Sequence, residues 1–212
     1  MSANTISLNR NTDQLPGDGR PVWLFGYGSL IYKSGFDYIE TRTATIRGWK
    51  RRFWQGSHDH RGTPEHPGRV ATLIADDNAT CTGLAYRVTP DVFEQLDVRE
   101  KNGYLRLIRP LILADGSDVE GLVYIATEDN AAYLGPASEA AIARHVRASS
   151  GPSGPNSEYV LELARALRAM DVDDPHVFAI ESSLRALLDA DHNHTYSYSQ
   201  SPEGPIKTRF GL

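Results

Sequence analysis

The chain has 212 residues, of which 40% are hydrophobic and 23% charged, with a formal net charge of −5. That is enough apolar sequence for one sizeable core, and the negative balance excludes broad attraction to nucleic acid or to an anionic membrane surface. The single cysteine, Cys81, excludes an internal disulfide, and no apolar run approaches the roughly 20 residues that span a bilayer. A cytoplasmic protein is the expectation, with no nucleic-acid or membrane partner.

Met1 to Arg20 is polar, carries Gly and Pro, and lacks the apolar centre of a secretory signal, so it reads as a flexible extension. Trp23-Leu-Phe-Gly-Tyr-Gly-Ser-Leu30 then reads as a buried strand opening into a binding loop. Gly26 and Gly28 permit positive φ or the close approach of another group, and successive amides with the Ser29 hydroxyl suit an anion. The loop is not a dinucleotide fingerprint, because Ile31 stands where the third glycine belongs. It lacks the Gly-Lys-Ser/Thr of a Walker loop, and Ile31 also breaks the pattern of a nucleophile elbow around Ser29.

Thr43 to Trp49 and Arg51 to Gln55 read as two short strands joined by a turn near Gly48. Gly56 to Gly68 is dense in turn formers and long for a connector, which marks it as a functional loop. Its His58, Asp59, His60 and His66 lack a firm further ligand, so no metal site is expected. Asp59 and Arg61 are expected to tie the loop by charge-assisted hydrogen bonds. Arg69 to Ile74 and Thr82 to Val88 read as a hairpin around Asp76-Asp-Asn78, with Cys81 a buried structural thiol.

Pro90 opens a short helix with Phe93 and Leu96 on its apolar edge, and Gly103 suits its exit. Asp97, Arg99, Glu100 and Lys101 cluster near its end, and as an isolated string they read as a solvated helix terminus. Strands follow at Tyr104 to Leu113 and Glu120 to Ala126, the latter with Leu122 and Tyr124 on one face and Val123 and Ile125 on the other. Helices are predicted from Ser138 to Ser149, stopped by Gly151-Pro152, from a cap at Asn156 or Ser157, and from Asp174-Pro175. The sequence beyond about Asp191 reads as a polar, irregular tail. Strands first and helices last, with one helix between strands, make an α+β domain over residues 21–190, flanked by the extension 1–20 and the tail 191–212.

Taken in order, Phe25-Gly-Tyr-Gly-Ser-Leu30, Arg52-Phe-Trp-Gln-Gly56, Asp59-His-Arg-Gly62, Pro67-Gly-Arg-Val70, Asp97-Val-Arg-Glu-Lys-Asn-Gly-Tyr104, Tyr133-Leu-Gly-Pro136 and Gly151-Pro-Ser-Gly154 with Asn156, Glu158 and Tyr159 resemble the ChaC-like γ-glutamylcyclotransferases, enzymes acting on glutathione. The resemblance implies a small mixed β-barrel with packed helices, and cyclisation of a γ-glutamyl group to 5-oxoproline with release of cysteinyl-glycine. Neither metal nor cofactor is implied. It makes Glu100 the acid/base and assigns substrate binding to Leu24, Phe25, Gly26, Tyr27, Gly28, Ser29 and Leu30, with Tyr104. Arg69, Tyr124 and the segment from Gly151 to Tyr159 are the candidates for the cysteinyl-glycine end. The chain departs from the family pattern at Tyr32, His58 and Asn102, where tryptophan, threonine and glycine are usual. Other γ-glutamyl amines or dipeptides as substrates, and a non-catalytic γ-glutamyl-binding protein, are the alternatives; the oligomeric state is left open.

Overall fold

The computed structural model describes residues 4–198. Its centre is a closed barrel in the order β1 (Val22–Gly26), β3 (Gly68–Val88), β2 (Glu40–Ser57), β4 (Tyr104–Leu113), β5 (Asp118–Ala126). β1 runs antiparallel to β3 and parallel to β5, so the barrel is mixed. Side chains alternate between two apolar clusters, as the two-residue period of a strand requires. Leu24, Leu122 and Tyr124 join a cluster with Phe93 and Leu96 of α2 (Val92–Arg99). Phe25, Val123 and Ile125 join the larger cluster, covered by α3 (Glu139–Ala148), α4 (Asn156–Ala169) and α5 (Pro175–Tyr198).

The expected short strands and hairpin are replaced by two long strands paired with each other. Arg47 pairs with Thr80 and Trp49 with Ala75, so the single residue Gly48 faces the four residues 76–79. The turn formers at both places are real, but they lie opposite one another and make a matched bulge instead of reversing the chain. Gly48 takes φ of +77°, which a glycine adopts without strain, and Asp76 accepts a hydrogen bond from the Asn78 amide at 3.1 Å. Cys81 lies mid-strand and buried, and burial pushes its thiol up to about 11.

Of three further expectations, the first is met and two change. The helix α3 is capped by Ser138 and ends before Gly151, after which Ser150–Gly151 and Gly154–Pro155 pair as the small strands β6 and β7. Asn156 is no cap. It is buried in α4 and grips β3, accepting from the Arg69 amide at 2.6 Å and donating to the Arg69 carbonyl at 2.9 Å. The helix α5 runs on to Tyr198, because no Gly or Pro follows Pro175 until Pro202 and polarity alone does not end a helix. The rest of the expected tail, residues 199–212, lies outside the described residues.

Part of the segment read as an extension packs on the domain. A short helix α1 (Ile6–Arg10) lies against α2 and β4, with Thr5 and Asn9 buried. Met1 to Ala3 lie outside the described residues. Among the described residues no helix is long and apolar enough to cross a membrane.

Candidate active site

A cavity of about 280 Å³ opens where the end of β1, the loop between β2 and β3, the end of α2 and the start of β4 converge. After β1 the backbone makes one 3-10 turn, Ser29–Ile31, whose first internal bond is from the Ile31 amide to the Gly28 carbonyl. The amides of Tyr27 to Leu30 stand before that bond, at the mouth of the turn. Neither Gly26 nor Gly28 has positive φ. Gly28 is needed for close approach: a Cβ there would lie 2.7 Å from the Tyr159 hydroxyl, which α4 brings onto the loop.

Glu100 follows α2 directly, and its amide still donates to the Leu96 carbonyl at 2.8 Å, which fixes where its side chain starts. Glu100 lines the cavity and its side chain is 16% exposed. Burial holds its pKa above the usual glutamate range; Arg99 and His60 offset part of that rise, while Asp59 adds to it. The Arg99 guanidinium lies 3.3 Å from Glu100 Oε1 and also donates to Ser29 Oγ at 3.0 Å, to the Ser34 carbonyl at 2.6 Å and to the Lys33 carbonyl at 3.0 Å. One cation therefore joins the glycine loop to the glutamate.

Tyrosines wall the rest. Tyr27 donates to the Tyr124 carbonyl at 2.6 Å, Tyr104 donates to the Ala71 carbonyl at 2.7 Å, and Tyr159 accepts from the Ala71 amide at 3.3 Å. Burial keeps all three phenols protonated, with Tyr159 pushed up to about 12. Two lining polar atoms are buried without a hydrogen-bond partner among the described residues, Tyr32 Oη and Asp59 Oδ1. Orphaned polar atoms facing a cavity are groups that a polar ligand can satisfy.

The structure brings together Phe25, Tyr27, Gly28, Ser29, Leu30, Glu100, Tyr104 and Tyr124 around this cavity. It does not bring Leu24, Gly26 or Arg69 to the cavity wall. Leu24 is fully buried in the α2 cluster, on the opposite face of β1 from Phe25. Gly26 is in the ladder with Leu84, and its carbonyl lies 2.2 Å from where a Gly83 Cβ would stand. Arg69 is turned onto the carbonyls of Phe53, Leu134 and Gly135, so it fastens a loop to the barrel.

Sequence reasoning missed Arg99, Asp59, His60, Asn102 and Tyr32 as cavity residues. The first two had a signal, in the Arg-Glu pair and in the Asp-His-Arg-Gly motif. Arg61 does tie its loop as expected, through Glu158 at 2.5 Å and the Pro155 carbonyl at 3.0 Å, whereas among the described residues the other oxygen of Asp59 meets only Lys101, at 3.7 Å. No group of three or more His, Cys, Asp or Glu among the described residues is placed to hold a metal ion.

The family model described as ChaC-like protein matches residues 22–187, which include every wall of this cavity. The chain belongs to the ChaC-like family. Relatives include glutathione-specific γ-glutamylcyclotransferase 1 of Danio rerio, 45% identical over 79% of this chain and 90% of that protein. The human protein of the same name is 39% identical over 81% of this chain and 82% of its own. Among solved structures, a glutathione-specific γ-glutamyl cyclotransferase from yeast superposes with a TM-score of 0.74 at 32% identity, covering 79% of this chain and 96% of that one. This ChaC-like chain thus shares the barrel and the packed helices of that enzyme.

Proposed function

We propose that this ChaC-like protein cleaves glutathione to 5-oxoproline and cysteinyl-glycine in the cavity around Glu100. The observation that carries the reading is a buried carboxylate of raised pKa opening onto the same cavity as the glycine loop. The names of the relatives supply the substrate class.

The substrate's α-amine attacks its own γ-carbonyl carbon, a C–N bond closes the five-membered ring, and the bond to the cysteine nitrogen breaks. All atoms of glutathione end in the two products, so no water is consumed. Because both reacting groups lie in one molecule, the protein gains chiefly by holding the near-attack geometry. Glu100 takes a proton from the amine and returns it to the departing nitrogen, and a carboxyl group of raised pKa retains that proton long enough to deliver it. The Ser29 hydroxyl accepts from Arg99, so its own hydrogen is turned outward as a donor. With the loop amides and Arg99 it forms a positive corner for the substrate's α-carboxylate and for the developing oxyanion. Asp59 Oδ1 and Tyr32 Oη take donors from the bound peptide. A reducing, cytoplasmic setting fits a glutathione-consuming enzyme with one buried thiol.

Turnover in ¹⁸O-labelled water tests this. The reading predicts equal amounts of 5-oxoproline and cysteinyl-glycine, both free of label. Labelled free glutamate would mean hydrolysis instead, and 5-oxoproline from other γ-glutamyl amines but not from glutathione would move the substrate.

A further inference from the structure

The loop that follows Glu100 is held by a segment outside the residues shared with the family model, which begin at residue 22. The β2–β4 pairing covers only Thr45 with Ile112 and Ala44 with Leu113, so the first half of β4 has one edge that β2 does not reach. The N-terminal segment fills it. The side chain of Asn9 imitates the peptide of a missing strand, donating to the Tyr104 carbonyl at 3.1 Å and accepting from the Arg106 amide at 2.8 Å. The Thr5 amide donates to the Lys101 carbonyl at 2.9 Å, and its hydroxyl lies 2.7 Å from the Tyr104 carbonyl and 3.1 Å from that of Lys101. Asn4 makes a bridge with Asn102.

The grip extends to the other side of Glu100. Arg106 donates to the Asn9 carbonyl at 2.7 Å and to both Asp97 oxygens at 3.2 and 3.3 Å, and Asp97 accepts from the Tyr124 hydroxyl at 2.6 Å. Glu100 is thus bracketed by Asp97 three residues before it and by Lys101 and Tyr104 after it, each tied directly or through Arg106 to residues 4–9. Thr5 and Asn9 are 7% and 1% exposed, which is unlike the chain ends that commonly fray.

We propose that residues 4–9 are a clamp that positions the Glu100 loop, with Thr5 and Asn9 as positioning residues for the cyclisation. The proposal rests on the functional reading above for its kinetic consequence but not for its structural one. Neither side chain lines the cavity, so loosening the clamp should slow the chemical step and leave substrate affinity nearly unchanged.

The test compares the full-length wild type with T5V, T5S and N9D by glutathione kinetics and by hydrogen exchange at the amides of 100–104. T5V and N9D should lower kcat by about 5- to 20-fold with KM within about twofold, the size expected for a small displacement of a catalytic group. Exchange at Gly103 should quicken at least tenfold in both, and T5S, which keeps the hydroxyl, should match wild type. Should T5V not fold, N9D, which keeps the side chain's shape and loses its donor, carries the same reading. Unchanged kcat and exchange in the folded variants would overturn the clamp, as would an equal loss in T5S. A wild type that releases no 5-oxoproline would instead overturn the functional reading, and the exchange data would still decide whether the clamp holds the loop.

Discussion

Glu100 sits where burial makes its charge costly, with Arg99 as the partner that keeps it ionisable. As the base it must be ionised, so the acid limb of kcat/KM should lie above the ordinary glutamate pKa of 4.5. Arg99→Met should move that limb to higher pH, since the cation that lowers the pKa is gone, and should raise KM by about tenfold or more as the loop loses its charge. The pH profile of the variant checks both effects. Glu100 also has a stability consequence. Its folded pKa exceeds the unfolded one, so the folded state gains below about pH 4.5 and loses that gain as pH rises through the folded pKa. Glu100→Gln should therefore melt higher than wild type at pH 7.5, an advantage that shrinks at pH 4. The Asp97 to Tyr104 motif made Glu100 visible in the sequence. As an isolated string it reads as a solvated helix end; partial burial beside Tyr104 follows only once the resemblance makes it the acid/base, and the full wall of Tyr27, Tyr104 and Tyr124 is assembled by the fold.

At the scale of elements, the joints between the barrel and its helices are polar and buried. Asn156 is the joint between α4 and β3, and Asn156→Ala leaves two backbone groups of Arg69 without partners. A loss of about 1–3 kcal/mol per unsatisfied group follows, seen as a fall in Tm of about 2–4 °C per kcal/mol for a chain of this size. His176 joins α5 to β2: its Nε2 accepts from the Phe53 amide at 3.1 Å, so the neutral ring carries its hydrogen on Nδ1, facing Glu139 at 3.0 Å. Burial holds its pKa below the usual 6.5 despite Glu139. The unfolded chain then binds the proton first, so stability should decline as pH falls below about 6.5 toward the folded pKa. Tm measured between pH 7.5 and 5.5 should show that slope in wild type and a flatter one in His176→Gln. The starts of α2, α3, α4 and α5 were legible from breakers, cap candidates and apolar period, whereas α1 was not. The long strands were not, because a turn signal such as Gly48 or Asp76-Asp-Asn78 is local, and whether it reverses the chain or bulges depends on the strand paired across it.

For the molecule as a whole, the mixed barrel with its packed helices came from the resemblance of ordered motifs; composition and pattern alone reached an α+β domain, with a small barrel as one option for its strands. Barrel closure depends on the parallel pairing of Trp23 to Phe25 with Gly121 to Val123, a contact far apart in sequence that no local pattern encodes. The N-terminal segment shows the converse. Asn9 looks like any polar residue near a chain end, and only the open edge of β4 makes it a buried partner. The fold brings loop, cation and glutamate to one cavity, and the central claim is that this cavity closes the γ-glutamyl group on itself. The most direct measurement is 5-oxoproline released from reduced glutathione by wild type and by Glu100→Gln, with glutathione binding followed calorimetrically for both. The account predicts one 5-oxoproline per cysteinyl-glycine from wild type, and a variant that still binds but turns over about 10² to 10⁴ times more slowly, the range expected for losing a general acid/base. Equal turnover by the two proteins would contradict it.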